Sequence, residues 1–260
     1  EMLGLSAMAA GTMVALAIAE RRPDGSAQLI SLKVDPGWRR RGIGSGLLQR
    51  LRLFLAKEGL SPLAVRYTVN TEIGTTFEPL LRRLGWSQPQ TELVLLKGES
   101  AKLAAIDWAD RFAISAPYRL QPWSKLSRQQ YEQAQRIGAS SDLLPPADSS
   151  SLEHSISLAL LHEQQLVGWL LTQRTEANSV NYSSFYVMPG HRTRGQALSL
   201  LVTGFRRQQS AGIPIARAAI GPHNEAMLRL LKRHLGSHLS AIGYSRIAQT
   251  ATSLNTENLP

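Results

Sequence analysis

Residues 29–59 read LISLKVDPGWRRRGIGSGLLQRLRLFLAKEG. The first six, ending at Val34, are apolar and β-prone and predict a strand. Asp35-Pro36-Gly37 must end it, because proline cannot donate to a ladder and glycine opens a turn. Arg39-Arg40-Arg41-Gly42-Ile43-Gly44 follows, and then Leu47, Leu48, Leu51, Phe54 and Leu55 at helical spacing, with Gly59 as a stop. The order is strand, turn, basic glycine loop, helix.

That order suits an anion. A helix's first turn offers free N–H groups and the positive end of its dipole. Glycines let a ligand approach that backbone, and arginine adds bidentate donors matched to phosphate. A pyrophosphate fits such a loop; the plain alternative is a solvated basic helix start with glycines used for turning. No Lys-Ser/Thr pair follows the glycines, so it is not a P-loop. The three-glycine dinucleotide fingerprint and its downstream acidic residue are also missing.

Outward from the loop, residues 3–10 and 13–20 predict an antiparallel pair before a turn at Arg21-Arg22-Pro23-Asp24-Gly25. Residues 62–69 predict a strand parallel to the one before the loop, and 75–84 a short helix ended by Gly85. Residues 91–97 read as a strand and 101–112 as a helix. The pattern then returns, with strands at 118–123, 155–162, 166–173, 180–187, 214–220 and 239–248 and helices at 128–137, 198–209 and 224–235. A Ser/Pro/Asp-rich loop fills 138–151. Val34-Asp35-Pro36-Gly37 recurs as Val187-Met188-Pro189-Gly190, and Arg39-x-x-Gly42-x-Gly44 as Arg192-x-x-Gly195-x-Ala197, 153 residues later. The chain is an internal repeat.

Val-x-Pro followed by Arg-x-x-Gly-x-Gly/Ala and a long helix resembles the acetyl-CoA loop of the GNAT acyltransferase superfamily. The resemblance covers nearly the whole chain and implies an α/β (α+β) fold of two tandem GNAT domains. Each would have a mixed, mostly antiparallel central sheet, flanked by helices, with a splayed parallel strand pair. The division it implies is an N-terminal domain at 1–97, without the usual first strand and first two helices, and a helical linker at 98–117. A C-terminal domain at 118–248 and a flexible polar tail at 249–260 complete it. In the family the acyl-CoA arm enters the splay. Carried over, Leu32, Val34, Arg39, Arg40, Arg41, Gly42, Ile43, Gly44 and Ser45 would hold it in the first domain. Tyr186, Val187, Arg192, Arg194, Gly195, Gln196 and Ala197 would do so in the second, with Asn224 either touching CoA or simply capping its helix.

The resemblance implies direct transfer of an acyl group, most simply acetyl from acetyl-CoA, to a primary amine. That needs a base, an acid for the thiolate and a donor for the oxyanion, and no covalent intermediate. The family's helix tyrosine is absent: Leu81 stands there before Gly85-Trp86, and Lys232, beside Leu231, before Gly236. The acidic residue of the strand before the loop is absent too. Tyr67, Glu72, Tyr186, His191 and His223 are the candidates left, each with a structural reading beside the catalytic one. The catalytic residue stays unassigned, and a catalytically silent CoA-binding sensor or scaffold is the alternative function. The first loop, with both glycines, is the better acyl-CoA site; the second half reads as degenerate or as part of the acceptor pocket.

The 260 residues include no cysteine, which excludes disulfides, thiolate metal sites and a cysteine nucleophile. This suits a reducing compartment, and a cytoplasmic location is expected, with no metal and no membrane partner. The apolar opening, 3–18, is broken by Gly4, Ser6, Gly11 and Thr12 without a basic segment before it, so it reads as strands rather than a leader. The net charge of +10 would also suit nucleic acid. The basic residues are spread over two loops and several helices, however, and the few aromatics are not interleaved with them.

Overall fold

The structure is a computed structural model that describes residues 1–70, 77–139, 151–192 and 195–252. The chain forms two compact units, Glu1–Val94 with Gly243–Pro260, and Leu95–Ile242.

In the first unit, strands β1 (Met2–Ala9), β2 (Thr12–Arg21) and β3 (Ala27–Val34) form an antiparallel meander. Helix α1 (Ile43–Lys57) then crosses to β4 (Leu63–Asn70), which lies parallel to β3. Helix α2 (Phe77–Arg83) precedes β5 (Gln90–Glu99). The far side of β4 is taken by the chain's last strand, β11 (Leu239–Thr250), antiparallel from Gly243↔Asn70 to Thr250↔Leu63. β1 is the edge of the order β1-β2-β3-β4-β11. Leu47, Leu48, Leu51 and Leu55 give α1 its apolar stripe, which packs on Ala15, Ala17, Ala19, Leu29, Leu63 and Val65. The alanines of β2 leave room for the leucines of the helix.

The second unit contains α3 (Ser100–Ala104), β6 (Tyr118–Pro122), α4 (Arg128–Ala139), β7 (Leu158–His162), β8 (Gln165–Glu176) and β9 (Ser179–Val187). Helix α5 (Gln196–Ser210) leads to β10 (Ile215–Ile220), parallel to β9. Helix α6 (Glu225–Leu230) runs on into a π turn, Leu231–Leu235. Strand order is β5-β10-β9-β8-β7-β6. β7 and the first half of β8 are buried on both faces, as an unbroken apolar run requires. Trp123, Tyr131, Ala134 and Ile137 pack with Leu161, Leu166, Trp169 and Leu171.

Three sequence expectations change. The single helix over 101–112 is instead α3 followed by a separate 3-10 turn, Trp108–Phe112. In the gap between them the Ile106 carbonyl accepts from Arg206 Nη2 (3.0 Å). Residues 98–117 were read as a linker, yet much of this stretch packs on α5, with Leu103 and Ile106 each 1% exposed. Gln249 and Thr250, read as tail, are strand residues paired with Ala64 and Leu63, and Thr252 Oγ1 donates to the Leu60 carbonyl (2.6 Å). Residues 253–260, most of 138–151, Glu72 and Arg194 lie outside the described residues.

Candidate functional site

Both parallel pairs come apart after three registered positions. β3 and β4 match at Ala27↔Leu63, Gln28↔Ala64 and Leu29↔Val65, although the strands run on to Val34 and Asn70. β9 and β10 match at Ser179↔Ile215, Val180↔Ala216 and Asn181↔Arg217 and then part. The split begins beside a bulge: Ile30 has no partner in β2, and Ser183 has none in β8, the same place in the repeat. An extra residue bends and twists its strand, here away from its parallel neighbour.

The backbone left open by the split can be assigned by alternation. Asp35 N donates to the Val14 carbonyl (2.9 Å), so Asp35 faces β2. Successive residues of a strand point their N–H and C=O groups to opposite sides. Val34 and Leu32 therefore face the gap. In the second unit Met188 N bonds Val167 O (2.8 Å), which turns Val187 and Phe185 to the gap. Tyr186 faces β8 instead, opposite Trp169, and its ring packs on that tryptophan at 4.8 Å. Phe185 takes the place that the sequence reading gave to Tyr186.

Past Val34 the chain is pinned tightly. Asp35 Oδ1 accepts from Gly37 N (3.0 Å) to start a 3-10 turn, Pro36–Trp38. Arg39 Nε donates to the Val34 carbonyl (3.0 Å), and Arg192 Nε does the same to Val187 (2.6 Å). The motif's first arginine thus ties loop to strand in both units. The Arg41 guanidinium lies over the Trp38 ring at 4.9 Å. Gly42 enters α1 at φ +78°, a left-handed conformation that favours glycine, and no side chain caps the helix. The N–H groups of Ile43, Gly44 and Ser45 are then free of intrahelical partners. A methyl on Gly44 would meet Val34 Cγ2 at 3.5 Å, ordinary contact, which agrees with alanine at 197. Arg39, Arg40, Arg41, Gly42, Ile43, Gly44 and Ser45 thus form one continuous basic turn after Leu32 and Val34.

Sequence reasoning missed Arg83, whose Nη2 donates to Ser45 Oγ (2.8 Å) and brings a fourth arginine to this helix start. Its basic position in the last turn of α2 was visible; its partner 38 residues earlier was not.

The proton-transfer candidates fall out differently. Tyr67, on β4 beyond the split, donates to Glu78 Oε1 (3.0 Å), and Arg246 Nη1 reaches the same oxygen (2.6 Å). Burial first, then the Glu78 carboxylate, pushes the Tyr67 hydroxyl well above its ordinary value, so it stays protonated. Glu78 and Arg246 were not among the sequence candidates. His191 Nδ1 pairs with the Tyr118 hydroxyl (2.8 Å), and His223 is exposed in the turn after β10. Asn224 Oδ1 accepts from Met227 N (3.1 Å), so its side chain caps α6. Leu81 is fully buried and Lys232 exposed.

A model of the Acetyltransferase (GNAT) family matches residues 2–73, the span that carries the first split and its glycine loop. That segment, with its split and its loop, is of GNAT type. The chain's fold is similar to that of a tandem GNAT protein from the clavulanic acid biosynthesis pathway, at 16% identity and TM-score 0.62, covering 97% of this chain and 83% of that one. A GCN5-related N-acetyltransferase from Sphaerobacter thermophilus is similar over 93% of this chain and 78% of its own, at 16% identity and TM-score 0.61. No curated protein matches the sequence significantly. Among the described residues, no helix is long and apolar enough to cross a membrane.

Proposed function

We propose that the chain is an acyl-CoA-dependent N-acyltransferase that uses the first loop, with acetyl-CoA as donor and a primary amine as acceptor. One observation carries the reading: an open strand split leads, through Arg39, Arg40 and Arg41, into an uncapped, glycine-started helix whose Ser45 is met by Arg83. The loop suits a pyrophosphate, and the gap-facing groups of Leu32 and Val34 suit the amide-bearing arm behind it. Bound there, the thioester supplies an activated acyl carbon. The amine attacks it, the new C–N bond replaces C–S, and the amine's proton and the thiolate's need for one are met by side chains or water. Tyr67, protonated beside Glu78, is the phenol we place in that acid role. The chain's location is proposed as cytoplasmic, which suits its lack of cysteine.

The reading is tested by incubating the protein with acetyl-CoA and a panel of amines and following thiol release. Amine-dependent release that falls at least tenfold in Tyr67→Phe supports both parts. A specific observation favours the sensor alternative: Leu81, where many relatives carry the acid tyrosine, is sealed in the core. Tight acetyl-CoA binding with no amine-dependent release would establish that alternative and remove the enzyme.

A further inference from the structure

We propose that Phe112 closes the second glycine loop from within the chain, so that one chain binds one acyl-CoA. The proposal rests on the reading of these loops as acyl-CoA sites and adds which of them is open.

The two helix starts have the same backbone. Gly195 stands at φ +79° before α5, Arg192 is tied to the strand as Arg39 is, and no side chain caps the helix. Their surroundings differ. A methyl built on Gly42 would meet nothing within 4 Å. One built on Gly195 would lie 2.3 Å from Phe112 Cγ and Cδ1 and 2.6 Å from its Cβ. An apolar ring therefore lies against the glycine through which an anion would approach. Such a ring offers an anion no donor.

The ring is held there by its own segment. Ser100 N donates to the Pro214 carbonyl (2.8 Å), and Ser100 Oγ donates to Gln209 Oε1 (2.5 Å) at the far end of α5. Leu103 and Ile106 are buried beside the helix. Arg206, on α5, then clamps the next turn, reaching Asp110 Oδ1 (2.7 Å) and the Ile106 carbonyl (3.0 Å). Two residues past Asp110 comes Phe112, which stays 36% exposed. Its ring is thus not a core side chain. Its specific contact is the loop, and Ala113 and Ile114 continue along α5 beside Ser199, Val202 and Thr203. The strap is anchored at three points, and its aromatic tip covers the glycine.

Calorimetric titration with acetyl-CoA tests this on five proteins. Wild type is expected to bind one equivalent, Phe112→Gly two, Gly42→Val none, and Gly42→Val/Phe112→Gly one. Phe112→Gly removes all three contacting atoms. Arg206→Ala, which frees the strap and keeps the ring, is expected to show a second site at least tenfold weaker than that of Phe112→Gly. Two sites in wild type, or one in both Phe112→Gly and Arg206→Ala, would overturn the closure while leaving the first site standing. Should none of the five bind, the acyl-CoA reading and the closure fall together.

Discussion

Gly42 and Gly195 share a left-handed backbone, φ +78° and +79°, and each opens a fifteen-residue helix. Yet one is bare and the other carries a phenyl ring. A glycine at a helix start answers a backbone demand, the turn from strand to helix, before it answers any ligand. The repeat preserves that demand in both units, down to the arginine that ties each loop to its strand. What distinguishes a site from a corner is the space above it.

The comparison can be broken most directly at Gly42. Gly42→Val puts a branched side chain at positive φ, where the left-handed backbone already costs about 1–2 kcal/mol, and fills the approach to the turn. Acetyl-CoA binding is expected to be abolished; calorimetric binding unchanged from wild type would move the site elsewhere. Next come the paired alanines. Gly42→Ala should lose only the conformational cost of about 1–2 kcal/mol, whereas Gly195→Ala adds overpacking of about 1–3 kcal/mol against Phe112. Denaturant melts should show the difference, and Phe112→Gly should erase it, since only the contact couples the pair. Equal losses in the two alanine variants would mean the ring does not rest on Gly195.

A smaller contrast concerns the two buried tyrosines. Burial raises both hydroxyls above their ordinary value near 10, but Tyr67 faces the Glu78 carboxylate and Tyr182 the neutral Gln208 (2.9 Å). In an ultraviolet pH titration Glu78→Gln should bring Tyr67 down and leave Tyr182 where it is. The sign for stability follows. A hydroxyl raised on folding contributes fully below pH 10 and loses that contribution as pH climbs through its folded value. Wild type should therefore weaken on the alkaline side above pH 10, and Glu78→Gln, with a smaller gap between its folded and unfolded values, should lose less over the same range. The smallest effect belongs to Gly44→Ala, which makes an ordinary contact with Val34. Stability within about 0.5 kcal/mol of wild type is expected, with acetyl-CoA affinity little changed.

The local parts of the fold were legible. Strand, Pro-Gly break, glycine loop and helix are fixed by residues adjacent in sequence, so the motif and its repeat could be read, while the splay came only from the family resemblance. The parts that escaped are held by distant partners. Arg83 meets Ser45, and Glu78 meets Arg246, 168 residues on, with no local trace of either contact. Residues 101–112 carried a helical spacing, but the segment is held in place by Arg206, far along the chain, through the Ile106 carbonyl and Asp110. Phe112 gave no signal at all, being an unpatterned aromatic in a segment read as a connector.

The pairing of β11 with β4 has a consequence for how the chain is made. The strand that completes the sheet beneath the first loop is synthesised only after the whole of the second unit. Until then β4 presents an unpaired edge of the kind that invites wrong partners. The first site is thus finished by a strand from beyond the second unit, and synthesis stopped before Gly243 would yield a chain with its glycine loop intact and its scaffold unclosed. The fold makes the scaffold of the first site wait for a strand made after the second unit.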